Sequence, residues 1–204
     1  DNGTVNVALA GEVEAAPPVN QLVINEVCYD TPGADEGEFI ELKNVGDEAV
    51  DLSVYEVVLV NGSDGEVYST MPLTGTLEAG AYFVIGDSFI EDADMALAAS
   101  IQNGAPDYVL LNEIEGETVD ALCYGDEDTY GFGEGAPAPD YDTGMYPVIV
   151  GLSRYPDGVD TDDNATDFVV AEPTPGATNN AEYVLPTEPE ISVYWYPSME
   201  EVTE

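Results

Sequence analysis

No histidine occurs among the 204 residues, and only Lys43 and Arg154 are basic. The first absence removes the commonest general base, the commonest zinc ligand and every Ser–His or Cys–His nucleophile pair. The second, set against 43 acidic residues, leaves a formal net charge of −41. Such a surface repels nucleic acid, acidic lipid and anionic substrates, and it attracts cations or partners that bring them. The Debye length is about 8 Å at physiological salt and about 30 Å at 0.01 M. The chain is therefore expected to suit brine or divalent cations and to repel itself in dilute buffer. Long apolar runs are also missing, none approaching the ~20 residues that span a bilayer, so membrane insertion is not expected. Only two cysteines are present, Cys28 and Cys123. In an oxidising compartment a bridge between them would contribute on the order of 4 to 5 kcal/mol; the alternative is two buried reduced thiols. The chain starts at Asp1 without Met, as a mature secreted protein would, and a secreted, extracellular or cell-surface location is expected.

What is present is strand patterning, with 44% apolar residues to build a core. In the stretch Leu22 to Asn44, Val23, Asn25, Val27 and Tyr29 alternate with Leu22, Ile24, Glu26 and Cys28, which suits a strand packed on both faces. A second run, Glu38 to Leu42, ends at Lys43. Between them Pro32 and Gly33 stop the ladder and leave the acids in water. Further strands are predicted over 54–61, 66–70, 81–86, 107–112, 117–124, 148–154 and 168–171, separated by turn chemistry such as Asn61-Gly-Ser-Asp-Gly65. One helix is predicted over 90–101, Ala-rich with acids in its first turn. Many short strands at close spacing indicate an all-β sandwich.

Three segments fall outside that body. Residues 125–147, rich in Gly, Asp, Tyr and Pro, form an insertion of a length that is usually functional or disordered. Residues 1–20 form an arm in which Val5, Val7, Leu9 and Val13 share one face of a strand, tethered by Pro17-Pro18. Residues 181–204 form a second arm, with Ile191, Val193 and Trp195 alternating against polar and aromatic neighbours. The body between them spans 21–180.

The order INEVCYDTPGADEGEFIELKN, VDLSVYEVVLV, TLEAGAYFVIG, YVLLN, ETVDALCYG, GLSRYPDGVDTDDNATDF and EPTPGATN resembles the lamin tail domain of secreted prokaryotic proteins. The resemblance covers roughly residues 22–179, and EFIEL, SRYPDG and PTPGATN are its most specific pieces. It implies an immunoglobulin-like β-sandwich acting as an interaction or accessory module without catalytic machinery. The insertion, the arms and the acidity depart from the family pattern, and the protein's own function is expected to lie there.

Hard oxygen ligands closely spaced on a flexible loop suit calcium. The first candidate set is Asp157, Asp160, Asp162, Asp163 and Asn164. Asp160, Asp162 and Asn164 match the start of an EF-hand loop, but Ala165 and Ala171 replace the glycine and the final glutamate, so the loop is no EF-hand. Asp30, Asp35, Glu36 and Glu38 form a second set, and Asp126, Glu127, Asp128, Asp140 and Asp142 a third. The bland reading of each is a solvated face. Lys43 and Arg154 are expected to neutralise carboxylates of the fold, Glu26, Glu38 or Glu41 being nearest in motif terms. Asn2, Asn61 and Asn164 begin glycosylation sequons.

A strand-patterned arm can pair with its own domain's edge, or it can add to a neighbouring copy, which yields a filament or tube if the rotation does not close. The expected function is a self-assembling structural subunit with calcium screening its carboxylates. The alternative is a binding or adhesion module that uses Tyr130, Phe132, Tyr141 and Tyr146 as a platform for a glycan or protein ligand. Carboxylate pairs could in principle cleave glycosides, but no two acids stand out from the rest.

Overall fold

A computed structural model describes residues 21–104, 106–125, 127–141, 143–146 and 148–184. The first arm and residues 185–204 of the second, and with them Val5, Val7, Leu9, Val13, Ile191, Val193 and Trp195, lie outside the described residues. Twelve strands run β1 Leu22–Cys28, β2 Phe39–Asn44, β3 Val50–Asp51, β4 Tyr55–Asn61, β5 Glu66–Pro72, β6 Thr76–Leu77, β7 Tyr82–Gly86, β8 Met95–Ala96, β9 Asp107–Glu113, β10 Thr118–Tyr124, β11 Gly151–Arg154 and β12 Phe168–Ala171. A six-stranded sheet in the order β12-β11-β1-β2-β7-β8 faces a four-stranded sheet in the order β10-β9-β4-β5, and β3 pairs with β6 separately. All pairings between these strands are antiparallel except β7 with β8. The all-β, immunoglobulin-like sandwich expected from the sequence is the fold.

Side-chain parity explains the layers, because successive residues of a strand point to opposite faces. Ile40 and Leu42 of β2, Val57 and Leu59 of β4, Val109 and Leu111 of β9, and Leu122 and Tyr124 of β10 meet in one core between the sheets. Each such buried aliphatic side chain contributes roughly 1.5–3 kcal/mol. In β1 the alternation predicted for Leu22 to Tyr29 breaks at a bulge between Ile24 and Glu26. Leu22 and Ile24 face the core before it, and Val27 and Tyr29 after it. The bulge turns the side chains of both Asn25 and Glu26 to the outer face, where the first reaches Glu41 and the second Ser153.

Two expectations are corrected. Cys28 and Cys123 are both buried free thiols, not a disulfide. Cys28 packs with Phe39 and Val84 on the outer face of the six-stranded sheet, whereas Cys123 packs with Val58, Val60 and Tyr108 on the outer face of the four-stranded sheet. Stacked sheets lie about 10 Å apart and a bridge needs Cα atoms within about 7 Å, so thiols pointing away from each other across the sandwich cannot join. Burial instead pushes both thiols up to about 12, which makes them inert. The helix predicted over 90–101 is likewise absent. Its residues form turns and the short β8, because Asp94 N and Leu97 N donate to Val84 O and Gly86 O of β7, while the Asp94 carboxylate accepts from Val84 N. Tertiary pairing overrides an Ala-rich propensity here. The one α-helix described is a single turn, α1 Asn164–Asp167.

Candidate functional site

Arg154 ends β11 with its side chain between the sheets, wholly buried. Asp120 sits two residues before Leu122 on β10, so the same parity that sends Leu122 into the core sends this carboxylate toward Arg154. The guanidinium donates through Nη2 to both oxygens of Asp120 at 3.1 and 3.0 Å, joining one sheet to the other. Nη1 reaches Asp160 at 3.0 Å and Asp167 at 2.9 Å, and Nε donates to Ile24 O. The guanidinium lies 4.6 Å from the centroid of the Phe168 ring. Asp120 also accepts from Ile24 N at 2.6 Å, so it holds the backbone of β1 as well as the cation.

The insertion brings a fourth carboxylate. Glu134 places an oxygen within 4.8 Å of oxygens of Asp120 and Asp160, and among the described residues these three form the one trio of acids close enough to share an ion. Its Oε2 is buried and meets no hydrogen-bond partner. Burial, and then the charges of Asp120 and Asp160, hold Glu134 well above the usual carboxylate range; burial also raises Asp120, against the pull of Arg154. Asn164 fixes this geometry. Its side chain accepts from Cys123 N and Glu134 N and donates to Ala121 O, thereby clamping the insertion onto the free edge of β10. The approach requires glycine at 133, where a Cβ would stand 2.4 Å from the Cβ of Cys123.

The profile of the Lamin Tail Domain family matches residues 15–126, more than half of the chain. The chain belongs to the lamin tail domain family. No curated protein matches it. The family match ends at residue 126, just inside the insertion, so Glu134, Arg154 and Asp160 all lie beyond the matched part of this lamin tail domain.

A second polar cluster lies on the outer face of the six-stranded sheet. Lys43 binds Asp157, and Asp157 also accepts from Asn25 and Tyr82. Although burial acts the other way, these hydrogen bonds hold Asp157 below the usual carboxylate range. The partners expected for the two cations are therefore corrected: Lys43 and Arg154 pair with Asp157, Asp120, Asp160 and Asp167 rather than with Glu26, Glu38 or Glu41. Glu26 and Glu41 face each other in register on β1 and β2, both fully buried. The closing PTPGATN segment of the lamin tail domain crosses over them. Thr174 N donates to Glu26 and Gly176 N to Glu41. Burial raises Glu26 to about 7, Glu41 to about 8 and Glu38 to about 7.

Among the described residues, no three of the acids predicted to bind a metal bring their oxygens within 4.8 Å of one another. Asp157 serves Lys43 and Asp160 serves Arg154. Asp163 caps α1 by accepting from Thr166 N, and Asp162 stays exposed. Asn164 is buried with both amide atoms engaged, so it cannot carry a glycan despite its sequon. In the second set Asp35 accepts from Thr31 N and Asn103, which also reaches Asp30; Glu36 is exposed and Glu38 buried. In the third, Asp128 orders its own loop through Gly131 N and Gly133 N, and Asp140 accepts from Tyr29; Asp126 and Asp142 lie outside the described residues. Of the aromatic platform, Tyr130 and Phe132 stack 6.0 Å apart at 13°. Tyr141 is instead buried against Tyr29, and Tyr146 packs on Tyr183. The residues that sequence reading missed are Asp120, Glu134 and Asp167. A signal existed for Asp120, an acid at a core-facing position of the apolar run VDALCY.

Proposed function

We propose that this lamin tail domain is a secreted structural subunit, not an enzyme. It polymerises with copies of itself into an extracellular filament, tube or surface layer, and calcium or other divalent cations offset its carboxylates. The observation that carries the reading is an open strand edge in a chain whose two ends carry strand-patterned sequence. β5 ends the four-stranded sheet, and among the described residues nothing pairs with its outer side. Apart from one bulge near Tyr68 its ladder to β4 is regular, Glu66 is its one charged residue and Val67 is 56% exposed. Such an edge is a template for another strand. The arms supply candidates, with Val5, Val7, Leu9 and Val13 at one end and Ile191, Val193 and Trp195 at the other. An apolar groove of about 460 Å³, lined by Cys28, Phe39, Phe89, Ile90, Val148 and Ile149, offers further purchase for apolar side chains. Main-chain bonds give such strand addition its affinity, and alternate side chains give it specificity. Because arm and edge are different surfaces, the contact is head-to-tail and propagates. Deleting residues 1–16 should leave folded subunits that no longer assemble; assemblies of unchanged form would contradict strand donation by this arm.

The stacked, exposed Tyr130 and Phe132 favour a second reading, an extracellular adhesion module whose platform takes the flat face of a sugar. A full-length chain that stays monomeric and is retained on a glycan column would replace the first reading with this one.

A further inference from the structure

The apolar groove of about 460 Å³ opens beside Cys28 and Phe39 on the outer face of the six-stranded sheet. Two of its walls, Phe89 and Ile149, are 57% and 49% exposed, so large apolar side chains stand in water there. Its rim carries Glu36 and Glu172, and both basic residues of the chain are paired elsewhere. An occupant drawn from this chain must therefore bring apolar surface without negative charge. The C-terminal end of the described body sits beside that rim. Asn179 donates to Asn25 O and Arg154 O, and Tyr183 N donates to Val170 O of the edge strand β12 at 2.7 Å. Glu172 borders both the groove and the surface formed by Asn180 to Val184. Val184 is 75% exposed, and residues 185–204 follow it. In their sequence Glu188 and Glu190 precede, and Glu200 and Glu201 follow, the uncharged run Ile191-Ser-Val-Tyr-Trp-Tyr-Pro-Ser-Met199. Residues 185–190, if extended, reach about 20 Å, which covers the step from the rim into the groove. The N-terminal arm is worse placed. It enters β1 at Leu22, whereas the groove lies at the Cys28 end, about 20 Å further along the strand.

We propose that residues 191–196 of the chain's own C-terminal arm dock in this groove. Strand alternation sets Ile191, Val193 and Trp195 on one face, which meets Phe89, Ile90 and Ile149. Aromatic side chains bury the most area per residue, and Trp195 is the anchor. The flanking acids of the arm stay in water on either side of the run. A short flexible tether presents the arm at an effective concentration in the millimolar range, and a neighbour with the same strongly negative charge competes poorly with that. The contact is therefore intramolecular and does not need the assembly proposed above. Within that assembly it leaves the N-terminal arm as the strand donor.

Trp195 is the one tryptophan of the chain, so tryptophan fluorescence reports on the arm alone. The full-length chain is measured in about 2 M NaCl, where the Debye length falls to about 2–3 Å and self-repulsion is suppressed. The expected result is emission blue-shifted from that of the urea-unfolded chain, with acrylamide quenching weakened several-fold. Both readings should persist on about hundredfold dilution, as an intramolecular contact requires. Phe89→Asp and Ile149→Asp, changes at exposed positions, should return both readings to the unfolded-chain values while circular dichroism shows the sandwich intact. Val67→Asp on the β5 edge should leave them unchanged, and so should deletion of residues 1–16, which removes assembly without touching the groove. A solvent-exposed Trp195 in the wild type would overturn the proposal, and that measurement needs no variant to fold. So would protection lost on dilution, which assigns the arm to a second copy, protection kept in the folded groove variants, or protection lost in Val67→Asp or in the truncated chain.

Discussion

Replacing Arg154 with leucine should destabilise the fold by about 3–5 kcal/mol, the usual cost of stripping the partner from a buried charge. The reason lies in what remains. Asp120 and Asp167 are 0% and 2% exposed, and each would keep its carboxylate in the interior without the guanidinium that faces it. The change also severs the link between β11 of one sheet and β10 of the other, and frees the carbonyl of Ile24. Arg154→Lys should recover only part of the loss. An ammonium keeps the charge but cannot bind both oxygens of Asp120 while reaching Asp160, Asp167 and a backbone carbonyl. Urea unfolding at fixed pH and salt measures both variants; a loss below about 1 kcal/mol for the leucine variant would contradict the role given to this side chain.

Acidification from pH 8 to pH 5 should stabilise the protein, the reverse of the behaviour of most carboxylate-rich folds. Glu26, Glu38 and Glu41 are raised from 4.5 to about 7, 7 and 8, and Asp107 from 3.8 to about 6, each chiefly by burial. Between the unfolded and folded values the native state holds more protons than the unfolded chain. The stabilisation is therefore complete below about pH 4 and is lost progressively as pH rises toward 8. Asp157 behaves oppositely, because its value is held low; its contribution is lost only in stronger acid, so a maximum is expected near pH 4–5. Self-repulsion at a net charge of −41 acts in the same direction, and working above 1 M NaCl separates the two effects. Glu41→Gln, which mimics the protonated acid, should raise stability at pH 8 by roughly 1–2 kcal/mol and change little at pH 5. A thermal midpoint that falls steadily from pH 8 to pH 5 would refute this assignment.

The strands were legible because their side chains obey period two. Ile40 and Leu42 in EFIEL, or Leu122 and Tyr124 in VDALCY, announce which face is buried. What failed needed pairing information that no local pattern carries. The bulge at Asn25 reverses the parity of β1, and without it the outward turn of Glu26 could not be placed. Cys28 and Cys123 looked like a bridge because nothing in the sequence says that they point to opposite faces of the sandwich. Residues 90–101 have a helix-like composition, but the bonds they make to β7 decide their form. The ion-pair partners were missed for a related reason. Arg154 and Asp120 are neighbours only because two sheets stack, and Glu134 joins them only because the insertion folds back over β10. Among 43 acids, the ones that matter are set apart by burial, a tertiary property.

The central functional claim is that copies of this sandwich join through an arm and an open edge. Negative-stain imaging of the full-length chain beside the chain lacking residues 1–16, both at high salt with calcium, tests it most directly. The expected result is polymers of uniform width for the first and isolated particles for the second; isolated single-sandwich particles in both preparations would contradict it.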